Sequence, residues 1–317
     1  VNTPDHSPDH PELSIVVPLL DEAESLPELY QQIIAALEPT GKSFEILFID
    51  DGSRDGSFKI IKQLREKDER VRAIQFRRNY GKSAALGVAF EAVRGNVVVT
   101  MDADLQDDPG EVPALVDQLD EGYDLVSGWK KNRKDPITKT LPSKLFNWVT
   151  CRVSGLWLHD FNCGLKAYRR EVVETIPVYG ELHRYLPVLA HWSGFHVTER
   201  PVKHHPRKYG ISKFGIGRFT HGLFDLLTVY FVSNYTRRPL HLFGSFGLLS
   251  FGIGLVFALY LTWLWLNGIG IGTRPLLQLS ILLMVLGIQL TSIGLIAEMI
   301  AHTTRRPEDY AVRARLE

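Results

Sequence analysis

The chain has 317 residues, 45% of them hydrophobic, with 36 basic and 36 acidic side chains and two cysteines. That length supports a substantial buried core, while the cancelled charge argues against nucleic acid as a partner. Cys151 and Cys163 are wrongly spaced for a zinc site and read as free thiols.

Residues 1–12 form a polar tail, Pro/His/Asp-rich through Pro11 and without a signal-peptide pattern. From Leu13 the pattern alternates between strand and helix. Strand Leu13–Val17 is followed by a helix to about Leu37, and strand Phe44–Ile49 ends at Asp50-Asp51-Gly52-Ser53. A helix from about Asp55 to Lys67 leads to strand Val71–Phe76, and a helix over Ser83–Val93 leads to strand Val97–Met101. A further helix near Pro113–Leu119 precedes strand Leu125–Ser127. This alternation predicts an α/β domain with a mostly parallel sheet covered by helices on both faces.

Asp102-Ala103-Asp104 follows the apolar run Val97–Met101. In an extended strand residues two apart share a face, so both carboxylates, with Gln106 at the same parity, point one way. Such hard oxygen donors suit Mg²⁺ or Mn²⁺ held together with phosphates. Ordinary turn chemistry at Asp107-Asp108-Pro109-Gly110 is the plainer account of the same residues. Asp51 and Asp102 both fall at predicted strand carboxyl ends, where open α/β sheets bind ligands.

Two later segments have helical spacing of apolar residues. Leu145, Val149, Val153 and Leu156 form one stripe, with Trp148 and Trp157 nearby. Ile216, Phe219, Leu223, Leu226 and Tyr230 form another, over 215–239, which reads as an interfacial helix lying on a bilayer. Residues 240–302 then contain two uncharged stretches, Leu242–Leu266 and Pro275–Ala297, each longer than the roughly 20 residues that cross a bilayer. Arg237 and Arg238 precede the first, and Arg305, Arg306, Arg313 and Arg315 follow the second. The connecting segment carries Arg274 alone, so the positive-inside rule places both termini, the 303–317 tail and the large domain in the cytoplasm of a multi-pass inner-membrane protein.

Four motifs occur in order: Val17-Pro18-Leu19-Leu20-Asp21-Glu22, Ile49-Asp50-Asp51-Gly52-Ser53, Asp102-Ala103-Asp104-Leu105-Gln106 and Arg207-Lys208-Tyr209-Gly210-Ile211-Ser212-Lys213. Together they resemble the family-2 glycosyltransferases that charge polyprenyl phosphates. The match covers about Leu13 to the end of the chain. The resemblance implies a type-A glycosyltransferase fold, Rossmann-like, over 13–214, followed by the interfacial helix and a two-helix anchor. It places Pro18, Leu20, Glu22, Ile49 and Asp51 against the nucleoside of the donor. Asp102, Ala103, Asp104 and Gln106 would lie at the diphosphate, with Asp102, Asp104 and Gln106 holding Mg²⁺ or Mn²⁺. Arg207 and Lys213 would close over the diphosphate on a lid hinged at Gly210, and Asp160 would orient the acceptor or a sugar hydroxyl. Asp104, Asp160, Arg207 and Lys213 form the implied catalytic set.

The acceptor in such enzymes is a lipid phosphate. The cluster Lys130, Lys131, Arg133, Lys134, Lys139 and Lys144 supplies positive charge to attract it, and Lys130, Arg133, Ser143, Lys144 and Arg184 are the candidate contacts. Relatives often carry arginine where Lys130 or Lys131 falls, and lysine cannot form the same bidentate fork. A basic face drawn to anionic lipid heads explains the cluster nearly as well.

The reading is therefore inverting transfer of a single sugar to undecaprenyl or another polyprenyl phosphate, with UDP-glucose as the first-choice donor. GDP-mannose with dolichol phosphate, or an N-acetylhexosamine or aminopentose donor, are the alternatives. A processive polysaccharide synthase is disfavoured because no Gln-x-x-Arg-Trp motif occurs. A non-catalytic membrane scaffold would be expected to lose the paired aspartates, yet both are present. The resemblance also implies a homo-oligomer, a tetramer.

Overall fold

A computed structural model describes residues 10–131, 147–176, 178, 182–206, 208–209, 239–272 and 274–304, with side chains to residue 300. The candidates Arg133, Ser143, Lys144, Arg207 and Lys213 lie outside the described residues, as do the proposed interfacial helix and the C-terminal tail. The described residues form two compact units, one up to 209 and one from 239.

The first unit is built on a seven-stranded mixed sheet. Its strands are β1 (Leu13–Leu19), β2 (Phe44–Asp50), β3 (Val71–Gln75), β4 (Val97–Thr100), β5 (Leu125–Trp129), β6 (Lys166–Arg169) and β7 (Val197–Pro201). They lie in the order β3-β2-β1-β4-β6-β5-β7. β1 pairs parallel with β2 and β4, β2 with β3, and β5 with β7, while β6 runs antiparallel between β4 and β5. Every residue of β1 and β2 is buried, as expected of parallel strands covered on both faces. The four predicted helices are present as α1 (Leu26–Leu37), α2 (Ser57–Lys67), α3 (Lys82–Ala92) and α4 (Val112–Asp120). α1 buries Leu26, Leu29, Ile33 and Leu37, and α4 buries Val112, Leu115, Val116 and Leu119. Each set follows helical spacing on one face and joins a core with Ile15, Val17, Phe48 and Val99.

Two strands escape the sequence pattern, and two sequence expectations need correction. β6 and β7 carry no apolar run: β6 reads Lys-Ala-Tyr-Arg, and β7 is a half-exposed edge strand ending in Pro201, a position where proline is tolerated. β4 stops at Thr100, so Asp102 and Asp104 stand in a turn, and strand alternation is not what sets their directions. The stripe through Leu156 is broken as well. Residues 147–154 are helical, but Gly155, at φ 74°, ends the helix, its N–H bonding to the Cys151 carbonyl at 3.0 Å. Thr150, Cys151 and Ser154 are buried there, while Trp148 and Trp157 remain 59% and 69% exposed.

The second unit is a pair of helices, Pro239–Leu266 and Pro275–Thr304. Both are long and apolar enough to cross a membrane, containing 18-residue stretches of mean hydropathy 2.1 and 2.2, and most of those stretches is exposed, unlike the core helices of soluble domains. Small residues let the backbones meet. Ser280 Oγ donates to the Gly254 carbonyl at 2.8 Å and Ser250 Oγ to the Leu283 carbonyl at 2.9 Å. The Glu298 carboxylate accepts the Leu240 N–H at 3.2 Å, satisfying a donor at the N-terminus of the first helix.

Candidate active site

The carboxyl ends of β1 and β2 lie side by side, with Pro18 opposite Ile49 and Leu19 opposite Asp50. The loops that leave them are stitched together. Asp21 N–H donates to Ser53 Oγ (2.8 Å), Arg54 N–H to Asp21 Oδ1 (2.7 Å), Glu22 N–H to Ser57 Oγ (3.0 Å) and Ala23 N–H to Asp55 Oδ2 (2.9 Å). Pro18 is buried, Leu20 and Glu22 are partly exposed, and Ile49 is wholly buried, paired between β1 and β3, so it supports the site from beneath rather than meeting a ligand. Asp51 accepts the N–H groups of Tyr80 (2.7 Å) and Gly81 (2.9 Å), one with each oxygen. Gly52 packs on the same loop, where a Cβ would lie 2.6 Å from the Arg78 carbonyl carbon. The Asp51-Gly52 pair therefore supports the loop that leads into α3.

That loop delivers Lys82, the first residue of α3, to Asp102 beyond β4, where the two side chains form an ion pair. Burial alone would raise the Asp102 pKa. Lys82, assisted by Lys130 and Lys166, outweighs it and holds the carboxyl at about 2. Asp102 is confined from its other side by Gly164, where a Cβ would sit 2.6 Å from Asp102 Oδ2. Gly164 is itself held by a 2.8 Å bond from Thr100 Oγ1 to its carbonyl. Asp104 is buried and accepts the Gln106 N–H at 3.1 Å. Between them Leu105 adopts φ 61°, a conformation rare for a branched side chain and characteristic of ligand-binding turns.

Beneath this turn lies a layer of buried charge. Asp107, 1% exposed, pairs with Lys130 at 3.0 Å and accepts the Asp102 N–H at 3.3 Å. Burial disfavours the Lys130 ammonium, but Asp107 reverses this and raises its pKa. Lys166, buried on β6, donates to the Cys163 carbonyl, and its pKa is lowered chiefly by burial. Burial likewise pushes the Cys163 thiol up to about 12, so it stays a thiol. Asp160 is 1% exposed and accepts the Asn162 N–H at 3.0 Å. Arg184 lies on the short turn Leu182–Arg184, next to His183, whose N–H donates to Ser83 Oγ at 3.1 Å. The His183 pKa is driven well below the ordinary value by burial, then by Lys82, Arg184 and Lys166.

The segment before Arg207 returns along the same turn. His205 N–H donates to the Gln106 carbonyl at 2.9 Å, His204 bridges to Asp107, and Lys208 binds Glu28 of α1 at 2.7 and 3.0 Å. The chain on both sides of Arg207 is thus tethered, to the carboxylate turn and to α1. Sequence reasoning overlooked Lys82, Gly164, Lys166 and His183. Only Gly81-Lys82-Ser83, a glycine and a cation opening a helix, carried a readable signal, that of an anion-binding helix start.

Among the described residues no group of three or more His, Cys, Asp or Glu side chains converges on a metal position. Two carboxylates at a turn are nevertheless the donor set expected where Mg²⁺ or Mn²⁺ completes its shell with substrate phosphates and water. Asp102 is held ionised, so the residues present fit such an ion.

A family model for glycosyl transferase family 2 matches residues 14–177, more than half of the chain. The chain belongs to this family. It is therefore a glycosyltransferase, and the matched segment spans β1 to β6. It is 36% identical to a dodecaprenyl-phosphate galacturonate synthase of Rhizobium johnstonii, over 95% of this chain and 92% of that protein. It is 38% identical to an undecaprenyl-phosphate 4-deoxy-4-formamido-L-arabinose transferase of Pseudomonas paraeruginosa, over 90% of this chain and 84% of that one. Solved structures share the type-A fold. Glucosyl-3-phosphoglycerate synthase of Mycobacterium tuberculosis, in complex with Mn²⁺, UDP and phosphoglyceric acid, aligns with TM-score 0.54 at 19% identity, over 69% of this chain and 78% of that chain. A Pyrobaculum calidifontis mannosyltransferase in complex with GDP-Man and Mn²⁺ aligns with TM-score 0.51 at 20% identity, over 94% of this chain and 76% of that chain.

Proposed function

We propose that this glycosyltransferase moves one sugar from a nucleotide donor to a polyprenyl phosphate at the cytoplasmic face of a membrane. The observation that carries the reading is the 95% alignment with a polyprenyl-phosphate sugar synthase, which takes in the carboxylate turn and both apolar helices. The acceptor chemistry suits the site. A phosphomonoester has a second pKa of about 6 and is already nucleophilic at neutral pH, so no strong general base is needed. Its oxygen bonds to the anomeric carbon while the bond to the donor diphosphate breaks and its electron pair leaves with the diphosphate. In-line attack inverts the anomeric centre.

Asp102 and Asp104, with Gln106 as a third donor, would hold Mg²⁺ or Mn²⁺, which when bound supplies positive charge to the leaving diphosphate. Leu20 and Glu22 line the nucleoside position, Pro18 and Ile49 pack beneath it, and Asp51 fixes the loop beside it. Arg207 and Lys213 neutralise the diphosphate. Asp160 orients the acceptor or a sugar hydroxyl. The acceptor phosphate is met by Arg133, Ser143, Lys144 and Arg184, while Lys130 contributes positive charge from its pairing with Asp107. The charge pattern around the spans supports the cytoplasmic placement.

The relatives' names point to a uronic acid and a formamido pentose, so glucose has no support from them and the donor must be found by assay. A panel of UDP-glucose, UDP-galacturonate, UDP-4-deoxy-4-formamido-L-arabinose and GDP-mannose, each with undecaprenyl or dolichyl phosphate, should give organic-phase product with one donor. No lipid product with any pair, alongside transfer to a water-soluble acceptor, would refute the lipid-phosphate reading. Light scattering of the purified protein tests the homo-oligomer.

A further inference from the structure

The Lys82–Asp102 pair poses an electrostatic problem. Lys82 is paired directly with Asp102, so a bare divalent cation approaching that carboxylate meets its ammonium group. An ammonium and a metal ion also compete for the same Asp102 oxygen, which Lys82 holds directly. Gly164 packs against the other Asp102 oxygen and limits how far the carboxylate can turn. Lys82 is the mobile partner. Its side chain is 33% exposed and carries four rotatable carbons on the first residue of α3, whereas Lys166 is buried and Lys130 is committed to Asp107. The loop before Lys82 is fixed at Tyr80 and Gly81 by Asp51, so only the side chain needs to move.

We propose that Lys82 makes divalent-cation binding conditional on the donor diphosphate. It serves as counter-ion to Asp102 until metal and diphosphate arrive together, then yields Asp102 to the metal and turns its charge to the diphosphate. This rests on the metal and diphosphate reading above. Because coupling between two ligands is reciprocal, bound nucleotide raises the metal affinity and bound metal raises the nucleotide affinity by the same factor, and Lys82 enlarges that factor. A protein built this way does not accumulate idle metal, and it engages donor and cation as one unit.

The test is Mn²⁺ binding to the purified full chain in detergent, followed by electron paramagnetic resonance, with and without UDP, and with GDP in a parallel series. Wild-type protein should bind Mn²⁺ weakly alone and at least about tenfold more tightly with the nucleotide, a coupling of about 1.4 kcal/mol. Lys82→Met should bind Mn²⁺ alone several-fold more tightly than wild type, and the gain on adding nucleotide should shrink. Lys82→Arg, which keeps the charge, should retain the wild-type pattern, and Lys82→Gln serves if the methionine variant does not fold. Unchanged or weaker Mn²⁺ binding by folded Lys82→Met or Lys82→Gln without nucleotide overturns the role of Lys82 alone. Wild-type protein that binds no Mn²⁺ with either nucleotide overturns the metal site itself.

Discussion

Lys130 Nζ lies 3.0 Å from Asp107 Oδ1, and the two side chains are only 12% and 1% exposed. An ion pair this buried adds little net stability, because desolvation offsets its attraction, but it is costly to break, because the surviving charge is stranded. Asp107→Asn should therefore destabilise the domain by about 3 kcal/mol, and Lys130→Met by a comparable amount. The Asp107→Leu/Lys130→Met double variant should recover part of the loss. Chemical denaturation of the three variants measures this. Recovery in the double variant identifies Lys130 as a structural cation; no loss of stability in either single variant would leave direct phosphate binding as its role.

That pair also shows what the sequence could and could not disclose. The strand–helix order, the two apolar helices and the ordered aspartate motifs were legible because each is a local pattern. Asp107 read only as turn punctuation, and Lys130 only as one of a basic run, since their partnership depends on β5 and the carboxylate turn meeting in space. β6 was invisible for the same reason: its four residues become a strand through antiparallel pairing with β4 and β5. Gly164 gave no signal in the sequence, because only the fold sets it against Asp102.

Gly164→Ala tests that contact directly. A Cβ 2.6 Å from Asp102 Oδ2 must displace the carboxylate, since β4 and β6 are locked by their pairing. Turnover should fall about tenfold or more, as small misplacements of catalytic groups do, while the melting temperature changes by only a few degrees. Wild-type turnover would show that the position of Asp102 is not critical.

Metal dependence is the simplest test of the carboxylate turn. Excess EDTA should abolish transfer, and Mn²⁺ or Mg²⁺ should restore it. Asp104→Ala should lose activity that no added metal recovers, with its fold intact by circular dichroism. Full turnover in EDTA would remove the reason for assigning Asp102 and Asp104 to a metal.

The helix pair has its own test. A Cβ on Gly254 would lie 2.8 Å from Met284 Cγ and from the Ser280 carbonyl oxygen, so Gly254→Leu must prise the helices apart and break the Ser280–Gly254 bond. Overpacking of this kind costs about 1–3 kcal/mol. Unfolding in detergent should shift accordingly, whereas Gly252→Leu, at a position with open space, should not. Equal effects from both would argue against this packing of the pair.

His183 gives a pH signature with a definite sign. Its folded pKa lies well below the ordinary value, chiefly through burial and secondly through Lys82, Arg184 and Lys166. Between that depressed value and about 6.5 the unfolded chain binds a proton at this position and the folded chain does not. Stability contributed by the neutral ring is therefore present in full above about pH 6.5 and declines as pH falls through the window. The melting temperature should drop from pH 7 to pH 5, and His183→Gln, which can still hydrogen-bond Ser83, should flatten that slope. An unaltered slope in the variant would assign the acid sensitivity to other groups.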